Sequence, residues 1–104
     1  MESGDYANIV EELFAVLQAR KAAPAAESYT ARLLAAGEDE IIKKVGEEAV
    51  EVILAAKGQG NDRLVEETAD LFYHVLVLLV AREVSWEAVL QELARRRRPV
   101  ITEE

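Results

Sequence analysis

A chain of 104 residues is one domain, and with 51% hydrophobic content it can bury a core, though chains this short are only modestly self-sufficient. Its formal net charge of −8 argues against general nucleic-acid binding, which relies on cationic side chains to displace counterions. The absence of cysteine excludes disulfides and thiolate metal sites.

Few glycines, two prolines and only 6% aromatic residues, in a chain rich in Ala, Glu, Leu and Val, favour helix over sheet. Residues Met1 to Asp5 carry neither a basic nor an apolar run, so no signal peptide is expected. The apolar run from Leu71 to Ala81 falls short of the ~20 residues that cross a membrane. A soluble, cytoplasmic protein is expected.

Asp5 can cap a first helix whose apolar residues Ile9, Leu13, Phe14, Val16 and Leu17 recur at helical spacing. Arg20-Lys21-Ala22-Ala23-Pro24 ends it with cations and a breaker. Ser28 caps a short helix over Tyr29 to Ala36, and Gly37 stops it. Glu38 and Asp39 open a longer helix, to about Lys57, with acids at its positive end. Gly58-Gln59-Gly60 closes that helix, and Asn61 or Asp62 caps the next, which runs to about Arg82. Ser85 caps a last helix from Trp86 to about Arg98, Pro99 breaks it, and residues 98–104 are expected to be a frayed tail. No segment alternates with period two, and there is no internal repeat. The expectation is all-α: one domain over residues 1–104, an antiparallel bundle of about five helices with two long central ones.

Those two central helices carry five carboxylates: Glu47, Glu48 and Glu51 on the first, Glu67 and Asp70 on the second. At 100° per residue Lys44, Glu47, Glu48 and Glu51 share one arc, with Ile42, Val45, Ala49, Val52 and Ile53 across from it, which is ordinary amphipathicity. On the second, Arg63, Glu67, Asp70 and His74 form a stripe, but beyond Asp70 the helix is apolar all round apart from His74. Such a helix needs cover on every side, so a homodimer with Leu71 to Ala81 near its centre is expected.

Spacing leaves two readings of the acids open. They can form a solvated face balanced by Lys43, Lys44 and Lys57, each helical ion pair contributing only ~0.2–0.5 kcal/mol. If the two acidic faces meet, carboxylates ~4 Å apart repel by roughly 4 kcal/mol at a surface-like dielectric, and a hard divalent cation is required. His74 can bond a carboxylate, touch a ligand or sit as a satisfied core histidine. One histidine and no cysteine make zinc a poor fit. The run Arg95 to Arg98 is best read, taken alone, as a cationic helix C-terminus, though a polyphosphate beside a metal would also need such groups.

Glu47-Glu48-x-x-Glu51 followed by Glu67-x-x-Asp70 resembles the signature of the MazG-like all-α nucleoside-triphosphate pyrophosphohydrolases. Ser28-Tyr29-Thr30-Ala31-Arg32-Leu33-Leu34, Lys44-Val45-Gly46-Glu47-Glu48 and the run from Asp70 through Tyr73-His74 to Leu79 resemble, more closely, the phosphoribosyl-ATP pyrophosphohydrolase family of histidine biosynthesis. The likeness spans about Ile9 to Arg97.

That resemblance implies hydrolysis of 1-(5-phosphoribosyl)-ATP to 1-(5-phosphoribosyl)-AMP and pyrophosphate, the second step of histidine biosynthesis, in a magnesium-dependent helical homodimer. It implies Mg²⁺ held by Glu47, Glu48, Glu51, Glu67 and Asp70, with Glu48 or Glu51 taking the proton of the attacking water. Lys44 is the implied phosphate contact, and Arg32, His74, Tyr29 and Thr30 are the other implied substrate-binding residues. The stand-alone form is expected, since the chain has no room for the cyclohydrolase fused to this domain in many organisms. Two rival readings remain: a MazG-like housecleaning enzyme for ordinary or damaged nucleoside triphosphates, and a non-catalytic helical dimerisation module.

Overall fold

A computed structural model describes residues 6–23 and 28–102. Among them the regular elements are five helices: α1 (Ile9–Ala22), α2 (Tyr29–Ala36), α3 (Glu38–Gly58), α4 (Asn61–Ala81) and α5 (Trp86–Thr102). The all-α expectation is met. No helix among the described residues is long and apolar enough to cross a membrane.

Local chemistry places most boundaries. The Ser28 hydroxyl accepts the Ala31 N–H at 3.1 Å, and the Ser85 hydroxyl accepts that of Ala88 at 3.1 Å, so α2 and α5 start where capping predicts. Gly37 (φ 107°, ψ 166°) ends α2 and leads into α3, whose first turn carries Glu38, Asp39 and Glu40. Asp5, the expected cap of α1, and Pro24, the expected breaker, lie outside the described residues. Asn8 precedes α1 without a side-chain cap bond.

Two boundaries differ from expectation. The cap of α4 is Gly60 (φ 91°, ψ 164°), not Asn61 or Asp62. Glycine alone takes this backbone conformation readily, so the chain turns directly into α4. The Gly60 carbonyl accepts the Leu64 N–H at 3.1 Å, and Asn61 is already helical. At the other end α5 continues through Pro99 to Thr102. Proline there removes the N–H that would bond the Arg95 carbonyl, a cost that falls near the end of the helix.

The core gathers on α4. Leu76, Val77 and Val80 meet Phe14 and Leu17 of α1, Leu33 of α2 and Ile41 of α3. The Lys21 ammonium, at the end of α1, donates to the Val80 and Ala81 carbonyls at 3.3 and 3.4 Å, satisfying α4's last turn with the charge that end favours. α5 joins this core through Trp86, which meets the Phe72 ring edge-on at 5.6 Å. Further along α5, Glu92 bonds Arg95 and Arg96, which hold its carboxyl down to about 2. Those two arginines of the run are therefore engaged on their own helix.

The α3–α4 pairing, closed by the Gln59–Gly60 turn, orients the rest. Ordinary amphipathicity would bury Ile42 and Ile53 and leave the acids in water. Instead Ile41 and Ala55 are α3's buried residues, and Glu48 lies on their side of the helix. Ile42 and Ile53 are 48% and 59% exposed. α4 is likewise covered on one side: Leu76, Val77 and Val80 are buried, while Phe72 is 43% exposed.

The Gly60 turn sets the register of α3 against α4, which yields a prediction. A Cβ on Gly60 would meet nothing within 4 Å, so Gly60→Ala adds backbone strain and no clash. The expected loss is about 1–3 kcal/mol, read by chemical denaturation with an unchanged m-value. Unaltered stability would refute this account of the turn.

Candidate active site

Glu48 of α3 and Glu67 and Asp70 of α4 converge: a carboxylate oxygen from each lies within 4.8 Å of the other two. The cause is helical phase. Ile41, Glu48 and Ala55 are seven residues apart, two turns, so Glu48 is carried on the stripe that packs toward α4. Glu67, Asp70 and His74 follow at i, i+3 and i+7 on the facing stripe. The open choice between a solvated face and a meeting of acids is thus resolved for these three in favour of meeting.

Their environments differ. Glu67 is 6% exposed, and a buried ionised carboxylate requires a cationic partner. Arg63, one turn earlier on α4, supplies it and bonds Glu66 at 2.6 Å with its other nitrogen. Glu66, then Glu67 and Glu51, hold the Arg63 guanidinium firmly in its charged form. Arg63 was visible in the sequence stripe without a role; its i, i+4 spacing to Glu67 was the available signal. Asp70 is exposed at the cluster's open side.

Lys44 lies beside the acids. Its ammonium is 3.7 Å from Glu48 and 3.4 Å from Glu47. Desolvation works against its charge, yet Tyr29, Glu47 and Glu48 outweigh that and hold it above the ordinary lysine range. Burial pushes the Tyr29 phenol up, opposed by Lys44 and reinforced by Tyr73, Glu48 and Asp70. At neutral pH the site therefore presents an ammonium and an intact phenol next to the acids.

α2 brings that phenol in. Tyr29 Oη is 2.9 Å from His74 Nε2, and its ring stacks on Tyr73 at 6.3 Å between centroids. The Thr30 hydroxyl bonds the Tyr73 hydroxyl, and His74 Nδ1 donates to the Asp70 carbonyl at 2.8 Å. The sequence placed Tyr73 in a family motif without a role of its own; the fold shows that it braces α2 against α4.

Among the predicted residues, Glu48, Glu67 and Asp70 come together, with Lys44 and Tyr29 at their edge. Glu47, about half exposed, pairs with Lys44 and stands outside the three-acid group. Glu51 also stands outside it, near enough to Arg63 for its charge to be felt. Arg32 is exposed on α2 one turn from Tyr29. Thr30 and His74, expected to touch substrate, are buried with their side chains bonded inside the chain. Their bonds join α2 to α4.

The donor set fits a hard cation. Three carboxylates and no histidine or cysteine suit Mg²⁺, Mn²⁺ or Ca²⁺ and disfavour zinc.

Residues 10–97 match the family model described as phosphoribosyl-ATP pyrophosphohydrolase. A phosphoribosyl-ATP pyrophosphatase of Lactiplantibacillus plantarum is 58% identical over 87 residues, covering 84% of this chain and 82% of that relative. Another protein of that name, from Trichlorobacter lovleyi, is 54% identical over 86% of this chain and 82% of its own length. The histidine biosynthesis bifunctional protein HisIE of Gloeobacter violaceus is 48% identical over 93% of this chain and 45% of its own length. With the family model spanning most of the chain and two relatives this similar over four fifths of their own length, the chain belongs to the phosphoribosyl-ATP pyrophosphohydrolase family.

Proposed function

We propose that the chain performs its family's reaction: water cleaves phosphoribosyl-ATP to phosphoribosyl-AMP and pyrophosphate, in histidine biosynthesis. The observation that carries the reading is the convergence of Glu48, Glu67 and Asp70 across α3 and α4 in a chain of this family. These three carboxylates are the residues that would hold Mg²⁺. Bound there, the ion would polarise phosphoryl oxygens and offset charge on the departing pyrophosphate.

The chain's other residues divide the remaining work. Lys44, charged and 28% exposed at the cluster's edge, takes phosphate oxygens that the metal leaves free. Glu51, one turn from Glu48 and outside the three-acid group, is available to take the proton of the attacking water. Glu47 holds Lys44 in place through their ion pair. Arg32 and Tyr29, exposed on α2, face the remainder of the nucleotide.

A second copy of the chain completes the fold. The apolar residues left outside include Ile42, Ile53, Val65 and Phe72, each more than 40% exposed. Leu64, Val65, Ala69 and Phe72 line an almost wholly apolar groove. Exposed apolar surface on two paired helices is what a helical dimer buries.

Pyrophosphate release from phosphoribosyl-ATP, with and without Mg²⁺, tests the function. Release should require the ion, and Glu48→Gln or Asp70→Asn should abolish it while helix content and oligomeric state stay unchanged. Full activity in either variant would sink the assignment. Mg²⁺ should also raise the melting temperature of the unaltered protein, by about 2.7 kcal/mol of stabilisation at a hundredfold excess over Kd, and do so far less in both variants. For the dimer, Val65→Glu places a charge on the exposed apolar groove. Sedimentation should find a dimer for the parent chain and a shift to monomer for the variant; a monomeric parent would refute the assembly.

A further inference from the structure

His74 is the only histidine in the chain and is 5% exposed. Its two ring nitrogens have different partners, and those partners fix its tautomer. Nδ1 lies 2.8 Å from the Asp70 backbone oxygen. A carbonyl only accepts, so Nδ1 carries the hydrogen. In the neutral ring Nε2 then bears a lone pair, and it must accept. The Tyr29 hydroxyl, 2.9 Å away, is its donor.

The consequence reaches the surface. A phenol has one proton, and Tyr29 spends it inward on His74. Its oxygen keeps acceptor capacity only. Tyr29 is 43% exposed, its ring is braced by stacking on Tyr73, and it stands near enough to Lys44 to feel its charge. An acceptor-only oxygen offers nothing to a phosphate, whose oxygens also accept. It suits an O–H group. With a phosphate chain lying over Lys44 and the three acids, the nearest O–H groups of a nucleotide are those of its ribose.

We infer that His74 is a positioning residue: it orients the Tyr29 hydroxyl so that Tyr29 accepts a hydrogen bond from a ribose hydroxyl of the substrate. This rests on the nucleotide reading above, whereas the tautomer of His74 does not depend on it.

Nitrogen NMR of the single imidazole, at a pH where the ring is neutral, tests the tautomer. The proton should sit on Nδ1; a proton on Nε2 overturns the inference. Kinetics test the consequence. Tyr29→Phe and His74→Asn should each raise KM for phosphoribosyl-ATP by roughly three- to tenfold, with a smaller change in kcat. Asparagine can keep the bond to the Asp70 carbonyl but cannot reach Tyr29. His74→Gln, whose amide oxygen can reach the Nε2 position, should recover most of the loss. The Tyr29→Phe/His74→Asn double variant should be no worse than either single one, since both break the same bond. Losses that multiply, or that fall on kcat instead of KM, overturn the inference. Should the enzyme turn over a different nucleotide, the functional reading fails and the same KM comparison is made on that nucleotide.

Discussion

Everything at the site depends on holding three like charges together. With oxygens within 4.8 Å of one another, Glu48, Glu67 and Asp70 repel pairwise by roughly 3–4 kcal/mol at an effective dielectric of about 20. The packing that opposes this lies on both sides of the acids along the α3–α4 seam: Ile41 and Ala55 on α3, Leu76 and Val77 on α4. Arg63 and Lys44 reduce the repulsion locally, each bonded or ion-paired to one of the three. The seam also fixes phase. Slipping either helix by one residue would rotate its carboxylates by about 100° and disperse them.

The helix ends were largely legible in the sequence because they are made by local chemistry. Ser28 and Ser85 cap as their hydroxyls dictate, and Gly37 and the Gly58–Gly60 segment fall where the chain reverses. Gly60 displaced Asn61 and Asp62 as a cap for a reason propensity does not weigh: a two-residue reversal between long antiparallel helices needs positive φ just before the second one. The inward face of α3 was not legible. Periodicity separates an acid arc from an apolar arc but does not say which is covered. Ile42 and Ile53 looked like core residues, yet Ile41 and Ala55 are the ones α4 buries, and Glu48 goes inward with them.

The same limit applied to the site. Five carboxylates at helical spacing left a solvated face and a metal site equally open, because the answer depends on the relative phase of two helices. Only the likeness of Ser28–Leu34 and Tyr73-His74 to a known family went beyond that. It pointed to the right family, and it implied substrate-binding residues on α2. It did not separate the exposed residues of α2 from those that dock it on α4. Tyr29 and Thr30 are neighbours in sequence, yet one is 43% exposed and the other 7%. A helix sends adjacent side chains about 100° apart, so a contiguous motif must contain both kinds.

This division suggests how such a fold separates cleaving a phosphate chain from recognising what carries it. The acids belong to α3 and α4, the two longest helices, which pair with each other. α2 is only eight residues long and is fastened to α4 by Leu33, by the Thr30–Tyr73 bond and by the Tyr29–His74 bond. Carboxylates that hold a hard cation read only a phosphate chain, which every nucleoside triphosphate has. Discrimination between nucleotides must then come from groups that are not ligands, and α2 presents Tyr29, which feels the charge of Glu48 and Asp70, and, one turn on, the exposed Arg32. On the function proposed above, a change in α2 would alter which nucleotide is accepted without disturbing the acids, whereas a change in the α3–α4 seam would alter the chemistry for any of them.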